Sequence, residues 1–488
     1  MASDEQQGLV FPAGAEGRRS TSSVGRAVVA DALRSSDPTG ARAAEQATHW
    51  RSDYLVHFRR LVEAGLASPQ AAVTVAEDGL RSLHERMRVL DQGQERGLGE
   101  WPDSGRRLEG VEVKGAGDPV GELVLPYRGG RLRGYEIRRQ VNTWVDAGVV
   151  EPTIADVVET VLANPDWLRL EGHTVAVLGA GAEMGPLPSL MRWGARVAAV
   201  DLDRASIWER VLGLARDGAG TLVVPVDADA DTSSLEEVAG VDLLAEVPSV
   251  QRWLEEQPGT LVIGNYVYAD GATNARVSVA VDELTARLQE SRDDVALGFL
   301  ATPTDVFAVP AEAVQHSTRG YDGRSAGAKT IGRPLRALSG GRLLRRNYVA
   351  GSDPGINDSL VPQQGPNYAL AKRLQRWRAT VARQQGATVS MNVAPPTRTR
   401  SVVKNRALAA AYAGAHRFGV EVFEPATSNV LMAALLVHDL HTGGGPRHEH
   451  PWQDEAFAAA HGGLWRAPYA PRSALGLAAL LGYGAARS

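Results

Sequence analysis

Six short apolar runs constrain this chain more than anything else in it. They are "TVAVLG", "ARVAAVD", "TLVVPVD", "TLVIGN", "VALGFLA" and "TVSMNVAP", spread between Thr174 and Pro395, and helix-like segments lie between most of them. A strand that is apolar along its whole length must be covered on both faces, which is the condition of a parallel sheet with helices above and below it. The fold class read from this is α/β, a doubly wound parallel sheet of Rossmann-like type, preceded by a mainly helical N-terminal region. Ligands of such sheets sit at the carboxyl ends of the strands.

The rest of the chain divides by composition. Residues 1–45, rich in Ala, Gly, Ser and charge, are expected to be disordered. Residues 46–165 are assigned to a helical region for packing or assembly. It includes a strand or hairpin at "GELVLPYRGGRL" and two helices split near Glu151-Pro152. Residues 172–440 form the nucleotide-binding and catalytic domain, interrupted by a loop-like insertion at 306–358, and 441–488 is a C-terminal tail. From Arg319 to Arg346 the insertion carries Arg319, Arg324, Lys329, Arg333, Arg336, Arg342, Arg345 and Arg346, with Asp322 the only acid in that stretch. Those cations would either clamp an anionic group of a small-molecule substrate or ride on a mobile loop.

With no cysteine, disulfides, thiolate zinc sites and thiol nucleophiles are excluded. A net charge of −5 gives no general attraction to nucleic acid. No segment reads as a signal peptide or a membrane span, so a soluble cytoplasmic protein is expected. His448 and His450 in "RHEHP" have no third ligand nearby in the sequence, and no metal site is expected.

"VAVLGAGAEMGPLPSLMRWGARVAAVDLD" has the order a dinucleotide site needs. Gly179 and Gly181 would let backbone approach a pyrophosphate, and Gly185 would let the next helix pack closely. Asp201, about twenty residues on, ends the second strand; a carboxylate there bonds ribose hydroxyls and repels a 2′-phosphate, favouring NAD over NADP. The same turn and acid also serve S-adenosylmethionine enzymes, and a nucleotide-free turn would look alike.

The chain has four lysines, Lys114, Lys329, Lys372 and Lys404, against 48 arginines, and one of the four lies four residues after Tyr368 in "NYALAKR". Residues four apart share a helix face. An ammonium about 4 Å from a phenol, at an effective dielectric of ~20, would favour the phenolate by about 4 kcal/mol and so acidify the tyrosine. The alternative is a half-buried aromatic beside a solvated charge.

Taken together, these stretches resemble the short-chain dehydrogenase/reductase family over residues 172–440. "LGAGAEMG" resembles the family's glycine turn, with Glu183 in place of its middle glycine. "NYALAKRLQRWRATVARQQGATVSMNVAPPTRT" resembles its tyrosine–lysine helix, next strand and proline turn. The resemblance implies catalytic roles for Tyr368, Lys372, Thr302 or Thr304, and Asn274, the last alternatively a helix cap. It implies cofactor contacts from Asp227, Asn265, Lys372, Pro395 and Thr397 beside the three glycines and Asp201. The implied activity is NAD(P)-dependent oxidation or reduction of an alcohol/carbonyl pair, with a homo-oligomer expected by analogy. Two rivals stand beside it: a non-catalytic nucleotide-binding sensor or scaffold, and an S-adenosylmethionine-dependent methyltransferase.

Overall fold

The computed structural model describes residues 7–14 and 16–483. At its centre lie seven strands: β1 (Leu108–Lys114), β2 (His173–Leu178), β3 (Arg196–Val200), β4 (Thr221–Asp227), β5 (Thr260–Asn265), β6 (Val295–Ala301) and β7 (Val389–Val393). They lie in the order β7-β6-β5-β2-β3-β4-β1. β2 to β7 are parallel, and each coincides with one of the six apolar runs. β1 is antiparallel to β4, pairing Leu108 with Asp227 and Lys114 with Thr221. The six parallel strands have the order of a Rossmann fold, which reverses between β2 and β5 and opens its crevice there.

The strands β2 to β6 each feed two cores. In β2, Val175 and Val177 enter the core that includes Val430 and Val437 of the helix Pro425–His441. Ala176 and Leu178 enter the opposite core, with Val279 of the helix Gly271–Ser291 and Leu374 of the helix Pro366–Gln384. This period of two, apolar on both sides, is what a doubly covered strand requires.

Disorder over residues 1–45 is not what the structure shows. Residues 1–6 and 15 lie outside the described residues. The remainder includes a strand, Gly8–Val10, and helices Thr21–Arg34 and Pro38–Glu45. The first helix is capped by Ser20, whose side chain accepts the Ser23 N–H, and buries Val24, Val28, Val29 and Leu33. The second starts on Asp37 with Pro38 in its first turn. Ala, Gly and Ser hid a narrow apolar stripe that is buried only because other helices cover it.

Residues 46–165 are less purely helical than expected. Helices Trp50–Gly65 and Pro69–Arg86 are followed by short strands, by β1, and by the anticipated hairpin, Val124–Tyr127 with Gly130–Arg133. β1 makes this region part of the central sheet. The helix Pro69–Arg86 also packs directly on the helix carrying Tyr368. Gly79 is the point of closest approach, where a Cβ would meet the Trp377 ring at 2.5 Å. His84 joins the same layers, with Nε2 2.6 Å from Asp282 and Nδ1 3.1 Å from Glu283. Arg378 donates two hydrogen bonds to the same Asp282.

The insertion at 306–358 is not a loop. A two-stranded ribbon, Val306–Val309 with Gly355–Asp358, encloses helices Ala311–Asp322 and Ala326–Leu338. Three of its arginines are engaged locally: Arg324 lies 3.4 Å from the Tyr321 ring centroid, Arg336 bonds the Tyr321 hydroxyl, and Arg346 pairs with Asp322. Beyond 441 the helices Pro451–Ala456 and Pro471–Gly482 continue the fold. Among the described residues no helix is long and apolar enough to cross a membrane.

Candidate functional site

A cleft of about 770 Å³ opens at the carboxyl edge of the sheet where the strand order reverses. One wall is the turn after β2, with Gly179, Ala182, Glu183 and Met184, and another is the segment after β5, from Asn265 to Tyr268. Leu300, Tyr368 and Lys372 close a third side, and Thr399 to Ser401 with Lys404 and Asn405 form the rim. The volume is within the range of about 300–1,000 Å³ usual for small-molecule and cofactor sites.

The helix Pro366–Gln384 brings Tyr368 and Lys372 into this cleft one turn apart, as their spacing predicts. On another face of that helix Arg373 and Arg376 are buried against Asp305, at 2.9 and 2.7 Å. Arg376 reaches on to Glu455. Asp305 immediately follows the Thr302–Thr304 pair, so this ion cluster fixes the helix against the end of β6.

The Tyr368 hydroxyl lies beside that of Thr302. Thr302 shares a hydrogen bond of 2.9 Å with Thr304, which accepts from Gln364 Nε2 at 2.8 Å. Lys372 Nζ donates to the Leu300 carbonyl and to Gln375 Oε1, and Gln375 Nε2 donates to Asn265 Oδ1. The first network fixes the Thr302 hydroxyl beside Tyr368, and the second holds Lys372 in place. Gln375 had no signal of its own in the sequence.

The electrostatics differ from the expectation. Burial pushes the Tyr368 phenol up to about 12, with the nearby Thr302 hydroxyl acting against it. Burial likewise pushes the Lys372 ammonium down to about 8, opposed by Asp305. Desolvation of each charged form governs both shifts, and the Lys372 charge does not acidify the phenol as its spacing led one to expect. At neutral pH the pair is therefore a protonated phenol beside an ammonium held by a carbonyl and an amide.

The other candidates scatter. Asn274 is buried, and its Oδ1 accepts the Ala269 N–H at 3.0 Å, which fastens the loop at the start of its helix rather than lining the cleft. Pro395 and Thr397 are buried beneath the rim: Thr397 Oγ1 donates to the Pro395 carbonyl and shares a bond with Ser428. Asp227 lies at the far edge of the sheet, paired with Arg106. Gly185 has its carbonyl bonded by Asn429 and room for a Cβ, 3.4 Å from the Ala182 carbonyl, so close helix packing is not its role. His448 bonds Asp454 and His450 caps the helix that follows. Among the described residues no group of three His, Asp or Glu is placed to hold a metal.

The glycine turn suits a dinucleotide at one end more than along its length. Gly179 has φ +84°, and a Cβ on it would meet the backbone of Tyr266 and Val267 at 3.0 Å, so glycine is required there. The N–H groups of Gly179 and Ala180 donate to Val200, that of Gly181 to Asp201, that of Ala182 to Gly179 and that of Gly185 to Ala182. Asp201 also accepts the Leu202 N–H on its second oxygen. Each carboxylate oxygen retains a further lone pair for a ribose hydroxyl. Glu183 turns across the cleft, where its Oε2 accepts the Arg400 N–H at 2.9 Å. Space, the glycine and the Tyr368–Lys372 wall fit a nicotinamide and its ribose. The turn offers a pyrophosphate few amides and one carboxylate.

No family model and no curated protein matches this chain. Among solved structures, a thiolation-reductase di-domain from an archaeal non-ribosomal peptide synthetase aligns over 57% of this chain and 54% of its own, at 12% identity and a TM-score of 0.27. The terminal R domain from the myxalamid PKS-NRPS biosynthetic pathway aligns over 54% and 62%, at 16% identity and a TM-score of 0.28. The aligned part is less than two thirds of either neighbour's length. Likeness at this level carries no functional argument, so function rests on the cleft.

Proposed function

We propose that the protein is an NAD(P)-dependent reductase of short-chain dehydrogenase type, acting on the carbonyl group of a small molecule. The observation that carries this is Tyr368 lining a cleft at the reversal of strand order, beside Thr302 and with Lys372 one turn away on the same helix. A bound nicotinamide supplies the hydride. Tyr368, protonated at neutral pH, donates its proton to the carbonyl oxygen as charge develops there. Thr302 orients that oxygen and the phenol together, with Thr304 and Gln364 fixing the Thr302 hydroxyl. Lys372, held by Leu300 and Gln375, stabilises the phenolate left behind and would bond a ribose hydroxyl of the cofactor. A phenol held near 12 suits the reducing direction, in which it begins protonated. Asp201, at the end of β3, favours NAD(H) over NADP(H) because its charge would repel a 2′-phosphate.

One observation favours a second reading, a non-catalytic nucleotide-binding sensor: Glu183 in the turn, with the turn's amides engaged inside the protein. The deciding experiment measures NADH binding and NADH-dependent reduction of a carbonyl panel by wild type and Tyr368→Phe. Removing the proton donor is expected to lower kcat by about 10²–10⁴-fold with NADH affinity retained. Undiminished turnover in Tyr368→Phe refutes the mechanism. Binding without reduction in wild type supports the sensor, and methyl transfer unaffected by the substitution would support the methyltransferase.

A further inference from the structure

The rim segment Arg398–Arg406, "RTRSVVKNR", carries Arg398, Arg400, Lys404 and Arg406 and no acid. Among the described residues none of these four has a carboxylate within ion-pair distance, although most arginines near the sheet are paired. Arg400 and Lys404 are four apart on a short helix and both line the cleft. The segment is held over the cleft by Glu183, which accepts the Arg400 N–H at 2.9 Å, and its Ser401 lies beside the Tyr268 hydroxyl, which donates to Asp270. The charges facing the cleft are then Lys372, Arg400 and Lys404 against Glu183 and Asp270.

The glycine turn, which would ordinarily meet an anion with free amides, has engaged most of them and put Glu183 in their place. Two cations opposite are the groups able to offset that carboxylate and still attract an anion. The geometry points to an anion clamp: Arg400 and Lys404 hold a phosphate or carboxylate group of the ligand across the cleft from Glu183, with the Glu183–Arg400 hydrogen bond fixing the segment's position. This deepens the reductase reading and rests on it for the two sources of the anion, the pyrophosphate of the cofactor or an acid group of the substrate. It also moves the anionic contact from the 306–358 insertion, whose Arg324, Arg336 and Arg346 are engaged elsewhere, to the rim.

The test is calorimetric titration of the full chain, wild type and Arg400→Gln/Lys404→Gln, in low salt. The probes are NADH, dihydronicotinamide riboside, which has neither phosphate nor charge, and a panel of aryl and alkyl carboxylates each paired with its methyl ester. Wild type is expected to prefer the anion of at least one pair by about tenfold or more, the effect of one bond to a charged group. The double variant should lose that preference and keep its affinity for the uncharged partner. Loss confined to NADH assigns the clamp to the pyrophosphate; loss confined to the carboxylates assigns it to the substrate. No preference in wild type, or a preference that survives the double substitution, overturns the proposal. Failure of NADH to bind, with the carboxylate preference intact and clamp-dependent, would remove the reductase reading and leave the clamp standing.

Discussion

Raising the pH from 7 to 9 should loosen the N-terminal helices from the Rossmann-like core, and His84 is the reason. Its two ring nitrogens face Asp282 at 2.6 Å and Glu283 at 3.1 Å, so both donate only when the ring is charged. Burial alone would lower the imidazolium, but the bonds to Asp282 and Glu283 outweigh it and hold it up at about 9, against an ordinary 6.5. A group raised in the folded state stabilises fully below its unfolded pKa, and that stability is lost as pH rises through the folded one. One pH unit is about 1.4 kcal/mol, so the full contribution is about 3 kcal/mol, of which about 2 kcal/mol disappears between pH 7 and 9. Lys372, pushed down by burial to about 8, acts in the opposite sense over the same range. The quantity to measure is therefore the difference between wild type and His84→Gln in urea unfolding at the two pH values. Wild type should lose about 2 kcal/mol relative to the variant. Parallel behaviour of the two proteins would refute the reasoning, since the imidazolium would then contribute nothing.

Two further perturbations test how the helix bearing Tyr368 is seated. Asp305→Asn removes the carboxylate shared by Arg373 and Arg376, both buried, and should cost about 3–5 kcal/mol in urea unfolding, as breaking a buried ion pair does; an unchanged midpoint would show that Glu455 alone suffices for Arg376. Gly79→Val places a side chain against the Trp377 ring, 2.5 Å from where the Cβ would stand, and should destabilise by about 1–3 kcal/mol through overpacking despite removing a helix glycine. A stabilised Gly79→Val protein would mean that the two helices are not in contact there.

The sequence by itself determined the architecture of the sheet, because strand identity is local. Val175, Val177 and their neighbours are apolar on both faces, and only a doubly covered parallel strand satisfies that pattern. The one-turn spacing of Tyr368 and Lys372 was equally local, and it brought both into the cleft. The tertiary structure decided what those residues are bonded to. The acidified phenol was an argument about one pair of charges, whereas the sign at Tyr368 is set by desolvation from elements far away in the chain. Asn274, Asp227 and Thr397 have side chains suited to a site but are engaged by Ala269, Arg106 and Ser428, partners that no spacing rule reveals. The disorder expected over residues 1–45 gives way for the same reason: the apolar stripes of the helices Thr21–Arg34 and Pro38–Glu45 have meaning only against helices supplied by later chain. Arg400 and Lys404 lay in plain view in an acid-free run, but their facing Glu183, 217 residues earlier, was fixed only when β2 and β7 were placed in one sheet. Local periodicity is written in consecutive residues; hydrogen-bond partners and desolvation depend on which distant segments the fold brings together.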